Sequence, residues 1–155
     1  MNFYDREKEI SRLREIEQTS RSNAQLSVVT GRRRIGKTLL LLRATKSEAE
    51  PVLYFFVARK AENFLCQDFQ QEIAVKLGIP IMGEVSNFGK LFEYLMILSE
   101  QRAFTLIIDE FQEFLFDGNY IYFASYCDNR ISTIHRVNFT NCSTDNCSGL
   151  RLKSG

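Results

Sequence analysis

The feature that most constrains the fold of this chain is a glycine-rich stretch, Gly31-Arg-Arg-Arg-Ile-Gly-Lys-Thr38, which fits the pattern G-x-x-x-x-G-K-[ST]. It follows a short apolar run, Leu26–Thr30, that predicts a buried strand, and it precedes the apolar segment Leu39–Leu42, which predicts a central helix. A loop in this place brings backbone N–H groups and the positive end of a helix dipole together. The sequence therefore predicts a strand, loop and helix unit that can bind a polyphosphate.

The rest of the apolar pattern alternates between strands and helices. Continuous apolar runs at Val52–Ala58 and Phe104–Ile108 predict buried strands. Between them, apolar residues at helical spacing predict one helix over residues 65–77 and a second over residues 88–98. Because strands alternate with helices, we predict the α/β fold class, with a parallel sheet flanked by helices.

The 155 residues suffice for one compact domain with a short appendage. We expect residues 1–116 to form the core and residues 117–155 to be an atypical C-terminal segment, in which apolar periodicity is weak. Two stretches there, Ile121–Tyr126 and Ile131–Phe139, are compatible with either a strand or part of a helix. The core is therefore expected to be incomplete at the C-terminus.

The charge of the chain is nearly balanced, with 20 Lys and Arg against 19 Asp and Glu, so there is no overall attraction to nucleic acid or acidic lipid. Residues 1–43 carry ten cations against five anions, and an anionic partner is expected at this end. The N-terminus lacks the apolar core of a signal peptide, and the longest apolar run is far shorter than the ~20 residues that span a bilayer. We therefore expect a cytoplasmic location and no membrane partner.

The residue types of the glycine-rich loop (residues 31–38) suit a nucleoside triphosphate bound with Mg²⁺. Its two glycines permit unusual backbone dihedrals and close approach of the backbone. Lys37 is expected to neutralise β- and γ-phosphate oxygens, and the Thr38 hydroxyl to coordinate the metal. The predicted nucleotide-binding residues are Gly31, Arg32, Arg33, Arg34, Ile35, Gly36, Lys37, Thr38 and Leu39. The three arginines have a second interpretation, in which they lie on a solvated loop and only raise the local positive potential. The whole stretch could also be a basic turn that matches the pattern by coincidence.

A second motif is the apolar run that starts at Leu106 and ends in two carboxylates, Asp109 and Glu110. After a phosphate-binding loop, this is the place of a Walker B element. We predict that Asp109 holds Mg²⁺, directly or through water, and that Glu110 acts as general base on the attacking water. The predicted catalytic residues are thus Glu110 and Lys37. Alone, the run is equally typical of a strand that ends in a solvated acidic turn.

Three further segments accompany GRRRIGKT: FYDREKEI at the N-terminus, VLYFFVARK with Lys60, and LIIDEFQEF over Leu106–Phe114. Together the four resemble the archaeal-type ATPase family of P-loop proteins, which is related to AAA+ and STAND ATPases, over about residues 2–116. The resemblance implies a P-loop NTPase core of the ASCE class that binds ATP and Mg²⁺, with the magnesium carboxylate and the base at the two positions named above. It also implies that residues near Phe3 and Arg6 approach the adenine.

The resemblance further implies elements that the sequence does not reveal. The family continues past the acidic strand end with a further apolar strand that ends in a polar sensor, then with an arginine and a helical lid. Residues 117–155 do not match this pattern, so we expect a chain truncated or altered after about residue 116. Because positioning supplies most of the catalysis in phosphoryl transfer, we expect ATP binding with hydrolysis that is weak or needs a partner.

Two other functions stay open. The chain could be a non-hydrolysing, nucleotide-dependent module or switch that acts on DNA or a protein partner through a basic edge, which Arg59 and Lys60 extend. It could also be a remnant that folds poorly because its sheet is incomplete. The sequence does not indicate an oligomeric state.

Overall fold

The computed structural model describes residues 6–20, 26–29, 34–46, 50–80, 83–111, 113–114 and 137–140. In these residues the helices are α1 (Glu7–Thr19), α2 (Lys37–Ala44), α3 (Glu62–Leu77) and α4 (Phe88–Ser99), and the strands are β1 (Leu26–Val29), β2 (Val52–Phe56), β3 (Thr105–Asp109) and β4 (Val137–Thr140). From β1 to β3, strands and helices follow each other in the predicted order.

The four strands form one parallel sheet in the order β1-β4-β3-β2. β3 lies between β2 and β4, so that Leu106 pairs with both Leu53 and Val137. Parallel neighbours need a crossover connection, and α3 and α4 supply it between β2 and β3. The α/β class and the parallel sheet flanked by helices are therefore confirmed.

β4 overlaps the stretch Ile131–Phe139, for which the sequence pattern left a strand or part of a helix open, and the structure has a strand there. Its four residues are inserted between β1 and β3, with Thr140 beside Val29 and Phe139 beside Ile108. A stretch as short as Val-Asn-Phe-Thr cannot be separated from part of a helix by periodicity, and its pairing partners are distant in the sequence. The division of the chain at residue 116 stays a prediction.

The main core lies on the face of the sheet that α3 and α4 cover. Leu53 and Phe55 of β2 are fully buried there with their register partners in β3. The ring of Phe69 joins strand to helices, because it stacks on Phe55 at 4.2 Å between centroids and meets Phe88 edge-on at 6.0 Å. Of the apolar stripes predicted for the two helices, Leu98 is partly buried and the other residues are buried: Leu65, Phe69, Ile73, Leu77, Phe88, Leu91, Phe92 and Leu95.

The turn that follows β3 is anchored in the same core. The ring of Phe114 stacks on Phe88 with 4.3 Å between centroids, and Phe111 meets Phe114 edge-on at 5.8 Å. Aromatic pairs of this kind stabilise by about 0.5–1.5 kcal/mol beyond their buried area. The residues directly after Asp109 are therefore held by packing.

Cys66 of α3 provides a direct check on this packing. Its side chain is fully buried, and burial, with a smaller effect of the Glu62 carboxylate, raises the pKa of the thiol to about 12. Since the thiolate is the reactive form, we expect native Cys66 to react with a maleimide at mildly alkaline pH about a thousandfold more slowly than in the denatured chain. Mass spectrometry of the peptide that contains Cys66 measures both rates, and equal rates would contradict its buried position.

Candidate functional site

The described part of the glycine-rich loop leads directly into α2. Gly36 precedes the helix in a left-handed conformation with a φ of 81°, which a residue without Cβ adopts readily. Arg34 has a φ of 62° although it carries a side chain. The Gly36 carbonyl accepts a hydrogen bond from the Leu40 N–H at 2.9 Å, which closes the first turn of the helix. A tight turn thus ends at a helix N-terminus, as the sequence predicted.

The first turn of α2 is accessible from solvent. Arg34 is exposed, and Ile35 and Leu39 are 37% and 40% exposed, whereas residues 36–38 are half-buried. This turn contains no acidic residue that would repel an anion from the positive end of the helix. Residues 31–33 lie outside the described residues, and the roles of all nine predicted nucleotide-binding residues stay predictions.

Thr38 and Asp109 are brought together although 71 residues separate them in the sequence. Thr38 Oγ1 donates a hydrogen bond of 2.6 Å to Asp109 Oδ2. Asp109 ends β3 and is 9% exposed, and its Oδ1 accepts a hydrogen bond of 3.0 Å from the Glu110 N–H. The end of the glycine-rich loop therefore meets the acidic strand end, at the edge where the carboxyl ends of the parallel strands lie.

Tyr54 is a member of this group that sequence reasoning missed. It lies on β2, and its hydroxyl donates to the same Asp109 Oδ2 at 2.7 Å. Burial, the hydrogen bond to Asp109 and the charge of that carboxylate all raise the pKa of the Tyr54 hydroxyl well above its ordinary value, so it stays a donor. A tyrosine within an otherwise apolar strand is a usable signal, because a buried hydroxyl needs a polar partner.

Glu110, the predicted base, follows β3 in a left-handed conformation. Its φ is 57°, and its carbonyl accepts a hydrogen bond of 2.9 Å from the Glu113 N–H. Among the described residues, Glu110 and Arg34 are the two non-glycine residues with positive φ, and both lie at the predicted site. Strained backbone of this kind is concentrated at functional sites, where the surrounding structure holds it in place.

The basic edge expected beyond β2 is largely paired. The Arg59 guanidinium donates two hydrogen bonds, of 2.7 and 3.2 Å, to the carboxylate of Glu113, and Lys60 forms an ion pair with Asp68. A pocket of about 680 Å³ is lined by Arg59, Lys60 and Glu113, together with Val57 and Ala58, which follow β2, and residues at the start of α3. None of the predicted site residues lines this pocket, so it is separate from the candidate site.

The donors at the candidate site suit a magnesium ion that is shared with phosphate. Thr38 offers a hydroxyl oxygen and Asp109 a carboxylate, and Mg²⁺ prefers such oxygen ligands. The described residues contain no group of three or more His, Cys, Asp or Glu side chains that could hold a metal by themselves. One carboxylate is nevertheless enough where substrate phosphates and water complete the coordination. The residues present therefore fit Mg²⁺ bound together with a nucleotide.

In the part of the chain that the structure describes, no helix combines the length and the apolar character needed to cross a membrane.

Among curated proteins, none gives a significant match to this sequence. A sequence model of the family described as "ATPase domain predominantly from Archaea" matches residues 3–140. The match confirms the resemblance to archaeal-type ATPases and ends at Thr140, the last residue of β4. Because it spans most of the 155 residues, the chain belongs to this family of ATPase domains.

Proposed function

We propose that this chain binds ATP together with Mg²⁺ at the glycine-rich loop and hydrolyses it, either weakly or with the help of a partner. The observation that carries the proposal is the 2.6 Å hydrogen bond from Thr38 Oγ1 to Asp109 Oδ2. It joins the end of the glycine-rich loop to the acidic end of β3, the two places that the proposed chemistry requires together. Membership of an ATPase family supports ATP as the nucleotide.

In this proposal the groups of the chain have distinct tasks. Backbone N–H groups before α2 and the Lys37 ammonium hold the phosphates. Thr38 and Asp109 hold Mg²⁺, which when bound supplies positive charge against the phosphate oxygens. Glu110 orients the attacking water and accepts its proton. Binding, charge neutralisation and proton transfer thus take place at one end of the sheet.

The position of β4 supports hydrolysis in addition to binding. The family pattern has a further strand that ends in a polar sensor, and β4 ends in Thr140. Thr140 pairs with Val29 of β1, and the preceding residue pairs with Ile108, the neighbour of Asp109. We therefore propose that the C-terminal end of β4 takes the place of the family's sensor strand at this edge of the sheet.

The alternative is a nucleotide-dependent module that does not hydrolyse ATP and acts on DNA or a protein partner through a basic edge. It has less support, because the carboxylates that pair with Arg59 and Lys60 offset their charge toward a polyanion. Salt-sensitive DNA binding without phosphate release would favour this alternative.

We expect Mg·ATP at about one hundred times its dissociation constant to raise the melting temperature by roughly 5 to 10 °C, since such a ligand adds ~2.7 kcal/mol to the free energy of unfolding. Thermal unfolding is measured with Mg·ATP, with Mg²⁺ alone, and with Mg²⁺ and adenosine, which lacks the phosphates. The two controls should change the melting temperature little. An equal rise with adenosine would contradict binding at the glycine-rich loop, and no rise with Mg·ATP would contradict the proposal as a whole.

A further inference from the structure

Asp109 is held by hydroxyl groups from two different elements. From β2 the Tyr54 hydroxyl donates to Asp109 Oδ2 at 2.7 Å, and from α2 Thr38 Oγ1 donates to the same oxygen at 2.6 Å. The Glu110 N–H donates to the other oxygen, Oδ1, at 3.0 Å. Asp109 is 9% exposed, so these protein donors replace much of the water that would surround a free carboxylate. The plane of the carboxylate is therefore set by donors on both of its oxygens.

The position of the tyrosine ring follows from the pairing of β2 with β3. Phe56 is the register partner of Asp109, and Tyr54 lies two residues earlier, on the same face of β2. The Val57 N–H donates to the Asp109 carbonyl at 3.0 Å and extends the ladder past the strand end. On the opposite face, Phe55 is fully buried in the core. Tyr54 and Asp109 thus sit on two strands that cannot shift against each other without loss of backbone hydrogen bonds.

The two hydroxyls differ in what the proposed function requires of them. Thr38 is itself a proposed ligand of Mg²⁺, whereas Tyr54 belongs to neither the glycine-rich loop nor the acidic turn. A carboxylate that loses a charge-assisted hydrogen bond is less firmly oriented, and it must be reoriented when a cation binds. Groups that orient a ligand in this way affect metal affinity without touching the metal.

We propose that Tyr54 is a positioning residue for the magnesium carboxylate: its hydroxyl holds Asp109 in a fixed orientation and thereby sets how much Mg²⁺ the nucleotide complex needs. This inference rests on the proposed function, in which Asp109 binds Mg²⁺ together with ATP.

The test uses Tyr54→Phe, which removes the hydroxyl and keeps the ring. Affinity for a fluorescent ATP analogue is measured first with EDTA and then over a series of Mg²⁺ concentrations. We expect the affinity without Mg²⁺ to equal that of the wild type, and the Mg²⁺ concentration for half-maximal enhancement to rise about tenfold. Tyr94→Phe is the matched control, because Tyr94 is a half-buried tyrosine on α4, across the sheet from Asp109, and it should change neither quantity.

A double-variant cycle separates positioning from a general effect on packing. In Asp109→Ala the side chain that accepts the tyrosine hydroxyl is absent, so the addition of Tyr54→Phe should cause no further change in Mg²⁺ dependence. Thermal unfolding of the wild type, the two single variants and the double variant, all without nucleotide, reports any loss of packing separately.

An unchanged Mg²⁺ dependence in Tyr54→Phe, with Mg²⁺-enhanced binding intact in the wild type, would overturn the inference and leave the proposed function in place. A further loss in the double variant would also overturn it, since the tyrosine would then act through another group. A wild type that binds no ATP analogue, or binds it equally well without Mg²⁺, would overturn the proposed function and the inference with it.

Discussion

Lys37→Ala is expected to weaken the binding of Mg·ATP by about 30-fold or more, because loss of a cation from a desolvated charge pair typically costs about 2 to 5 kcal/mol. Lys37 is half-buried and is the first residue of α2, directly after the left-handed Gly36. In the proposed function its ammonium acts on the same phosphates as the helix dipole. Because the dipole and the backbone N–H groups remain in the variant, weak residual binding is expected. Isothermal titration calorimetry measures both affinities.

Lys90→Ala is the matched control for this change. Lys90 is an exposed lysine in the first turn of α4, a helix that begins with an Asn87 cap and has no glycine-rich loop before it. Its removal should leave the affinity for Mg·ATP unchanged. Equal affinities for Lys37→Ala and the wild type would remove the glycine-rich loop from nucleotide binding. Melting of the ligand-free variants shows whether either substitution acts through stability instead.

Most of the fold can be predicted from the sequence because its elements have strong local patterns. β2 and β3 are continuous apolar runs, and the apolar stripes of α3 and α4 are buried in the core that they predicted. β4 is different, because Val137–Thr140 has four residues and becomes a strand through backbone pairing on both sides. That pairing depends on two distant segments of the chain, and no short window of sequence contains it.

The candidate site also has one part that the sequence predicts and another that depends on tertiary packing. The proximity of Thr38 and Asp109 could be predicted, because Thr38 follows β1, Asp109 ends β3, and the carboxyl ends of parallel strands lie at one edge of a sheet. In the structure a hydrogen bond joins the two side chains. Tyr54 could not be found by motif, since the face on which it lies and its distance from Asp109 depend on the register of β2 against β3. Motifs thus identify the groups that carry the proposed chemistry, whereas their supporting groups emerge from packing.

Glu110→Gln is expected to lower the rate of phosphate release at least about 100-fold and to leave the affinity for Mg·ATP unchanged, because a general base contributes roughly 10² to 10⁴ to a rate. Glutamine has nearly the same size and shape as glutamate, so the local structure should persist. It cannot accept the proton of the attacking water, however, and the loss should therefore appear in turnover alone.

The surroundings of Glu110 support the expectation that the glutamine variant loses turnover and keeps its affinity for Mg·ATP. Its N–H bonds to the Asp109 carboxylate and its carbonyl accepts the Glu113 N–H, so the backbone on both sides is held by hydrogen bonds. Its φ of 57° costs a residue with a side chain about 1 to 2 kcal/mol. The backbone bonds do not involve the Glu110 side chain, and they should keep this conformation in the glutamine variant.

Phosphate release is measured with enzyme in excess over ATP, which detects a slow reaction, and Glu93→Gln, a change of an exposed glutamate on α4, is the control. Turnover that survives in Glu110→Gln while the wild type is active would remove Glu110 from the role of base. Loss of binding together with turnover would place Glu110 in nucleotide binding instead. A wild type that binds Mg·ATP but releases no phosphate would favour the non-hydrolysing switch, since the site would then have the groups that bind the nucleotide without the arrangement that cleaves it.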